Sequence, residues 1–367
     1  MLEQLLFARN IDLLKLPGGG AVPLRFSDAR AEHLATRTAA GLFDFSFMEM
    51  AEISGPDARA FLERVQTRNL ATLAPGSIAY TLLLRDDGSV FNDATIWCHA
   101  SDRFWVFTGR RGDFRWLEES LNSPQPRGAA RLTRLSGQYA VLALQGPRTF
   151  DILPRALDLP LGDLRYFNFG ESRIADVQAF VGRLGYSGEL GCEIVVPASA
   201  GADAWRKLAE IGAGVGLREC GFEAANSLRI ESGHILFSAE LVLPADPYEL
   251  GLARLLTGSD FIGGASLRNK RWAVPRRRLG GIVPLDGGRA RSGKRPTAQI
   301  TSEAYSPLFA RTLAMGFIDA KLFAPGSLLR LTDGRRARSA RLPFYDPGRM
   351  LPRKAVSTSA PSRRPAP

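Results

Sequence analysis

The chain has 367 residues, of which 45% are hydrophobic, 23% charged and 9% aromatic. At roughly 150 residues per domain this length predicts two to three domains with a sizeable core, and the composition excludes global disorder. Forty-eight Lys and Arg against 37 Asp and Glu leave a formal net charge of +11, a balance that favours anionic partners.

Glu3, Arg9 and Asp12 break up the N-terminal apolar stretches, so these do not read as a signal peptide, and no run of about 18 apolar residues could span a membrane. The expectation is a cytoplasmic protein with no membrane partner. Pro17-Gly18-Gly19-Gly20 reads as a loop. Neither a dinucleotide-binding nor a P-loop glycine pattern surrounds it, so it is not a phosphate cradle. Residues 41–53 have a strand-like pattern, and Gly55-Pro56-Asp57 opens a helix with Phe61, Leu62 and Val65 at helical spacing. Residues 78–84 and 90–98 are β-rich runs around Asp87-Gly88, a hairpin signal, and 104–108 is a third strand.

Asp113 caps a helix carrying Phe114, Leu117 and Leu121. After a Pro-containing connector at 124–127, residues 139–144 read as a buried strand ending at Gly146-Pro147. A glycine-rich turn after Arg183 leads into a strand ending near Val196. Helices follow, one bringing Trp205, Leu208 and Ile211 together and one over 223–230 that ends near Gly233. A basic connector at 270–278 precedes a β-rich end with strands at 279–283, 313–318 and 328–331, read as a small antiparallel barrel or sandwich. From Leu351 onward Pro, Ser, Arg and Ala dominate, and a disordered tail is expected.

Much of the basic excess lies late, in the 270–278 connector, at Arg335, Arg336, Arg338 and Arg341, and in the tail. No RNA-binding aromatic motif or helix-turn-helix accompanies it, so it reads as a solvated surface or a site for a small anion, not for nucleic acid. Cys98, Cys192 and Cys220 are odd in number and lack a CxxC pair, which argues against a disulfide framework and a cysteine zinc site. Three histidines, His33, His99 and His234, make a histidine-rich metal centre improbable. His234 follows Gly233 at a helix end and reads as a cap or packing residue, and Cys192 as core filler.

A two- or four-residue loop at Asp87-Gly88 pairs Leu82 with Asp93 and Tyr80 with Thr95. Alternation then puts Phe91, Asp93, Thr95 and Trp97 on one face with Tyr80, Leu82 and Leu84. Asp93 is one carboxylate in an apolar field. Either it faces a partner or ligand, with its pKa raised, or it sits at a strand edge accepting backbone hydrogen bonds. Glu193 points away from Cys192, Ile194 and Val196. It is either a solvated strand residue or a match for the adjacent N–H donors of an amino-pyrimidinone edge, as in a pterin. Phe91 and Trp97 either wall a pocket or fill core.

Several motifs carry a family resemblance. They are residues 41–48 (Gly-Leu-Phe-Asp-Phe-Ser-Phe-Met), the Asp87-Gly88 hairpin with Asn92-Asp93, 142–147 (Leu-Ala-Leu-Gln-Gly-Pro), 185–194 (Gly-Tyr-Ser-Gly-Glu-Leu-Gly-Cys-Glu-Ile) and 226–233 (Asn-Ser-Leu-Arg-Ile-Glu-Ser-Gly). Asp260-Phe261-Ile262-Gly263, Thr301-Ser302 with Tyr305-Ser306-Pro307, and Ala314-Met315-Gly316-Phe317 continue the series. In this order they resemble the aminomethyltransferase family, which includes the glycine-cleavage T-protein and the folate-binding halves of sarcosine and dimethylglycine dehydrogenases. The similarity runs from about Ala31 to about Arg349.

The resemblance implies an α+β, three-lobed folate-binding fold around a central channel. Residues 1–48 with 138–265 would form the core lobe, 49–137 a second α+β lobe carrying the Asp93 hairpin, 275–349 a C-terminal antiparallel β-barrel, and 351–367 the tail. It implies tetrahydrofolate as cofactor, Asp93 as the catalytic residue, and Tyr80, Glu193, Thr108, Phe91 and Trp97 as cofactor-binding. The T-protein's arginine falls on Ala225, a histidine on Phe47 and a folate-pocket asparagine on Thr108, departures that argue against a glycine-cleavage T-protein itself.

The implied activity is a tetrahydrofolate-dependent one-carbon transferase or demethylase. It would use a small-molecule methyl or aminomethyl donor, with a separate dehydrogenase or carrier protein as partner. The alternatives are a folate-binding subunit of a separate amine dehydrogenase and a non-catalytic folate-binding paralogue in iron–sulfur protein maturation. Such paralogues carry a Lys-Gly-Cys-Tyr-x-Gly-Gln motif near the position of residues 231–241, which here hold no cysteine.

Overall fold

A computed structural model describes residues 5–6, 9, 11–16, 21–109, 112–122, 129–158, 164–271, 273–289 and 295–355. The glycine loop at 17–20, the connector at 124–127 and the tail from 356 lie outside the described residues. Where the composition predicts disorder from 351, Leu351–Arg353 form a short 3-10 turn. Among the described residues no helix is long and apolar enough to cross a membrane.

A six-stranded sheet runs, in spatial order, Phe169–Ile174, Val177–Gly182, Gly191–Pro197, Tyr139–Gln145, Ala40–Asp44 and Leu217–Cys220. Helices Thr149–Ala156 and Gly201–Ala213 close one face over Leu42, Leu144, Cys192, Ile194 and Val196. Because strand side chains alternate, the other face presents Phe43, Ala143 and Glu193, which the cross-strand register sets side by side. The first two strands form a hairpin that leaves little trace in the sequence. Its turn is Ala175-Asp176, both at positive φ (48° and 62°), with no glycine to announce it.

The stretch 41–53 is two strands in different sheets. Ala40–Asp44 ends in a turn, where the Ser46 amide donates to the Asp44 carboxylate (2.9 Å), and the chain crosses into Glu49–Ser54. The second sheet has the order Ile78–Leu84, Val90–Ala100, Arg103–Thr108, Glu49–Ser54, Arg131–Arg134. Helices Ala58–Val65 and Asp113–Leu121 cover one of its faces. Asp113 is the first helical residue and not the cap. Gly112, at φ 96°, holds the cap position, while the Asp113 carboxylate accepts from the Asn92 amide. The two sheets are joined by backbone bonds from Ile78 N–H to the Phe167 carbonyl (2.8 Å) and from Phe169 N–H to the Gly76 carbonyl (2.7 Å).

The C-terminal strands form a five-stranded sheet in the order Ala298–Ser306, Arg311–Asp319, Arg277–Arg289, Arg335–Ala340, Leu328–Arg330. Its edges approach at a bridge between Ala298 and Leu331, and no closed ladder forms. The expected closed barrel is therefore not observed. The α+β character is.

A buried ionic knot ties these parts together. Arg37 reaches Glu189 and Glu231 at 2.8 Å each, His33 lies 3.1 Å from Glu231, and the Ser306 hydroxyl donates to Glu231. Replacing Arg37 with Met removes the guanidinium from two buried carboxylates and leaves Glu231 only His33 and Ser306. The expected loss is about 3–5 kcal/mol, read as a lowered urea midpoint. An unchanged midpoint would mean that the knot contributes nothing to stability.

Candidate active site

The hairpin pairs Tyr80 with Thr95 and Leu82 with Asp93, the register that Asp87-Gly88 predicts. Gly88 takes φ 79°, and the Asp87 carboxylate accepts the Ser89 amide at 2.8 Å. The irregularity at Leu83/Leu84 re-aims Phe91. Its ring packs on Trp116 (5.4 Å between centroids) and against the Arg85 guanidinium (5.2 Å), so it does not join the face of Asp93.

The Tyr80 hydroxyl donates to the Asp93 carboxylate. Burial pushes the Asp93 carboxyl up to about 7; the bond from Tyr80 opposes this in part, and the nearby Asp113 adds to it. Both side chains are half-buried. Asp93 is thus a desolvated carboxyl that keeps some accessible surface, whereas a core residue or an outer-surface residue would have only one of these properties.

Glu193 lies in the register directly across from Gly182, where an added Cβ would run into the Trp97 indole. The hairpin therefore closes on the six-stranded sheet beside Glu193. Trp97 is 1% exposed and packs between Phe107 and Phe169 (5.2 and 5.0 Å), a sealed joint and not an open wall; its Nε1 finds no partner. Asp93 sits four residues away on the same strand face, roughly 13 Å along it.

Glu193 is 8% exposed, and no described residue donates a hydrogen bond to it or ion-pairs with it. Burial alone raises its carboxyl to about 7. Tyr166 adjoins Glu193 as well as Arg349 and Arg353, while Arg254 adjoins Tyr80. Arg349 is held below the usual guanidinium range by burial and by Arg254 and Arg353. Arg349 and Arg353 thus lie near Tyr166, and Arg254 near Tyr80.

Thr108 alternates with Phe107, which pairs with Thr95, so it turns to the helix-covered face away from Asp93. It is 2% exposed, and its hydroxyl has no partner. Of the expected site residues, the structure brings Tyr80 to Asp93 and Trp97 to the joint beside Glu193. Phe91 and Thr108 point elsewhere. Sequence reasoning missed Tyr186, which adjoins Tyr80 and Asp93. An aromatic between two glycines in Gly185-Tyr186-Ser187-Gly188 was its available signal. Arg349 carried none.

Phe47 and Ala225 line one crevice with Phe43 and Phe45. It opens on the sheet face of Glu193, two strands or roughly 10 Å across. A surface concavity of about 670 Å³ lined by Phe26, Trp205 and Glu219 lies on the outer, helical side of that sheet and contains none of these groups.

A buried carboxylate without donors among the described residues fits a ligand that brings its own. The adjacent N–H groups of a reduced pterin's amino-pyrimidinone edge are such donors, forming paired charge-assisted bonds.

Residues 18–258 match the family described as the GCVT N-terminal domain. The chain is 32% identical over 320 residues to aminomethyltransferases of Bacillus cereus (strain B4264) and Bacillus anthracis, covering 84% of this chain and 86% of each relative. The solved glycine cleavage system aminomethyltransferase T from Bartonella henselae is similar over 97% of this chain and 98% of that one, with a TM-score of 0.82 at 26% identity.

Proposed function

The chain belongs to the aminomethyltransferase family, and on that premise we propose that it transfers a methyl or aminomethyl-derived carbon from a small donor to tetrahydrofolate held between Asp93 and Glu193. The family is tetrahydrofolate-dependent and includes the folate-dependent aminomethyl transferases. The observation that carries the reading is the Glu193 carboxylate, buried and without a donor among the described residues. In this reading the core lobe is 1–48 with 138–265, the hairpin lobe is 49–137, and the two meet where Trp97 closes on Gly182.

Tetrahydrofolate supplies the nucleophilic amine that receives the carbon. Glu193 binds the pterin edge. Asp93, poised near neutrality, orients the folate amine and holds or releases its proton. The Tyr80 hydroxyl fixes the Asp93 carboxylate, and the Trp97, Phe107 and Phe169 seal excludes water from a reactive one-carbon unit. The arginines beside Tyr80 and Tyr166 draw an anionic folate into the hollow. The donor in this reading is an N-, O- or S-methyl compound or an aminomethyl group. A separate dehydrogenase or carrier protein is the macromolecular partner of this reading.

A donor screen with tetrahydrofolate, read by mass as methyl- or methylene-tetrahydrofolate, tests the reaction. Formation of neither product with any amine, ether, thioether or carrier-bound donor rejects it. Tyr80→Phe removes the bond that favours the ionised Asp93, so its pKa rises further. The acid limb of the pH–rate profile is expected to move up by about one pH unit. A limb that stays in place argues against Tyr80 acting through Asp93.

A further inference from the structure

Helix Phe222–Glu231 ends in Ser232-Gly233-His234. Gly233 takes φ 62°, its amide bonds the Ile230 carbonyl (3.1 Å) and the His234 amide bonds the Arg229 carbonyl (2.8 Å). This is a Schellman stop, and it throws His234 out of the helix line. The ring lands on Tyr186, stacked at 5.7 Å and 20°. Its Nδ1 lies 3.0 Å from the Tyr186 carbonyl, and the Tyr186 hydroxyl donates to the Ile235 carbonyl (2.8 Å).

A carbonyl can only accept, so in the neutral ring Nδ1 carries the proton and Nε2 carries a lone pair. Burial, with Arg349, Arg37 and Arg229 nearby, keeps the imidazole neutral. Nε2 has no partner among the described residues, and it is not sealed from solvent. The ring is half-buried, and the Tyr186 it rests on bonds Ile235, which packs against the same apolar cluster as Tyr80, the partner of Asp93. The structure thus provides an oriented acceptor on the Tyr80 side of the molecule, beyond the helix-end cap or packing role that its position in the sequence predicts.

Resting on the folate reading above, we infer that His234 is a binding residue of the hollow whose Nε2 accepts a hydrogen bond from an N–H of the bound reduced folate. A neutral imidazole with its proton on Nδ1 can only accept at Nε2, so the group it receives is an N–H.

Two substitutions separate this role from packing. His234→Asn keeps an N–H at the Nδ1 position for the Tyr186 carbonyl and removes the Nε2 acceptor. His234→Gln keeps an acceptor near Nε2 and removes the Nδ1 donor. Tetrahydrofolate affinity, measured by calorimetric titration, is expected to fall about tenfold in H234N and to stay within about threefold in H234Q. Thermal stability should show the reverse order. Affinity lost in H234Q but kept in H234N, lost equally in both, or unchanged in both, overturns the inference. Failure of the unaltered protein to bind tetrahydrofolate overturns the folate reading itself, and this inference with it.

Discussion

Asp93→Asn is expected to lower turnover to methyl- or methylene-tetrahydrofolate by about 10² or more, because a positioned acid or base contributes on that order. The amide is nearly isosteric and can still accept from the Tyr80 hydroxyl, so the hairpin register and the fold should survive. At saturating tetrahydrofolate, where Glu193 no longer limits binding, the unaltered protein's pH–rate profile should carry a limb near pH 7 from the buried Asp93 carboxyl, and the variant should lose it. Circular dichroism and the urea midpoint verify folding. Turnover within about threefold of the unaltered protein would remove Asp93 from the chemistry.

Glu193→Gln is expected to move stability and affinity in opposite directions. An unfolded glutamate titrates near 4.5, and burial raises the folded group to about 7. Between these values the native state keeps a proton that the unfolded chain has released, so stability falls as pH rises through that window and stays lowered above about 7. The shift corresponds to roughly 3 kcal/mol at most. The Gln variant removes this liability. Denaturant titration should therefore find it more stable than the unaltered protein at about pH 8, with the advantage gone by about pH 4.5. Its affinity for tetrahydrofolate should fall by about 10- to 100-fold at about pH 8, since the charge-assisted pair is lost. A variant that is no more stable, or that binds as tightly, would show that the carboxylate is not held in reserve for a ligand.

The hairpin was legible because its turn is written in residues that only a turn favours. Asp87-Gly88 fixes the register, and the register puts Asp93 beside Tyr80. The order of motifs from Gly41 to Phe317 made the family legible, and with it Glu193. Three kinds of information were not local. The irregularity beside Leu84 re-aims Phe91 by one residue, and no sequence feature marks it. The parity of strand Arg103–Thr108 sends Thr108 to the far face, which depends on its pairing with Val90–Ala100 across the turn between them. The hairpin 169–182 turns on Ala175-Asp176, which take positive φ without a glycine to announce the turn. Arg349, Tyr166 and Glu193 come from segments far apart in the chain, so the approach of Tyr166 to the other two emerges only once those segments pack.

Calorimetric titration of the unaltered protein with tetrahydrofolate, repeated from about pH 8 down to about pH 6, tests the central claim most directly. The account predicts saturable binding at one site that weakens as the pH drops through about 7, where Glu193 takes up its proton. No saturable binding, or an affinity that holds steady or rises across that range, would contradict it.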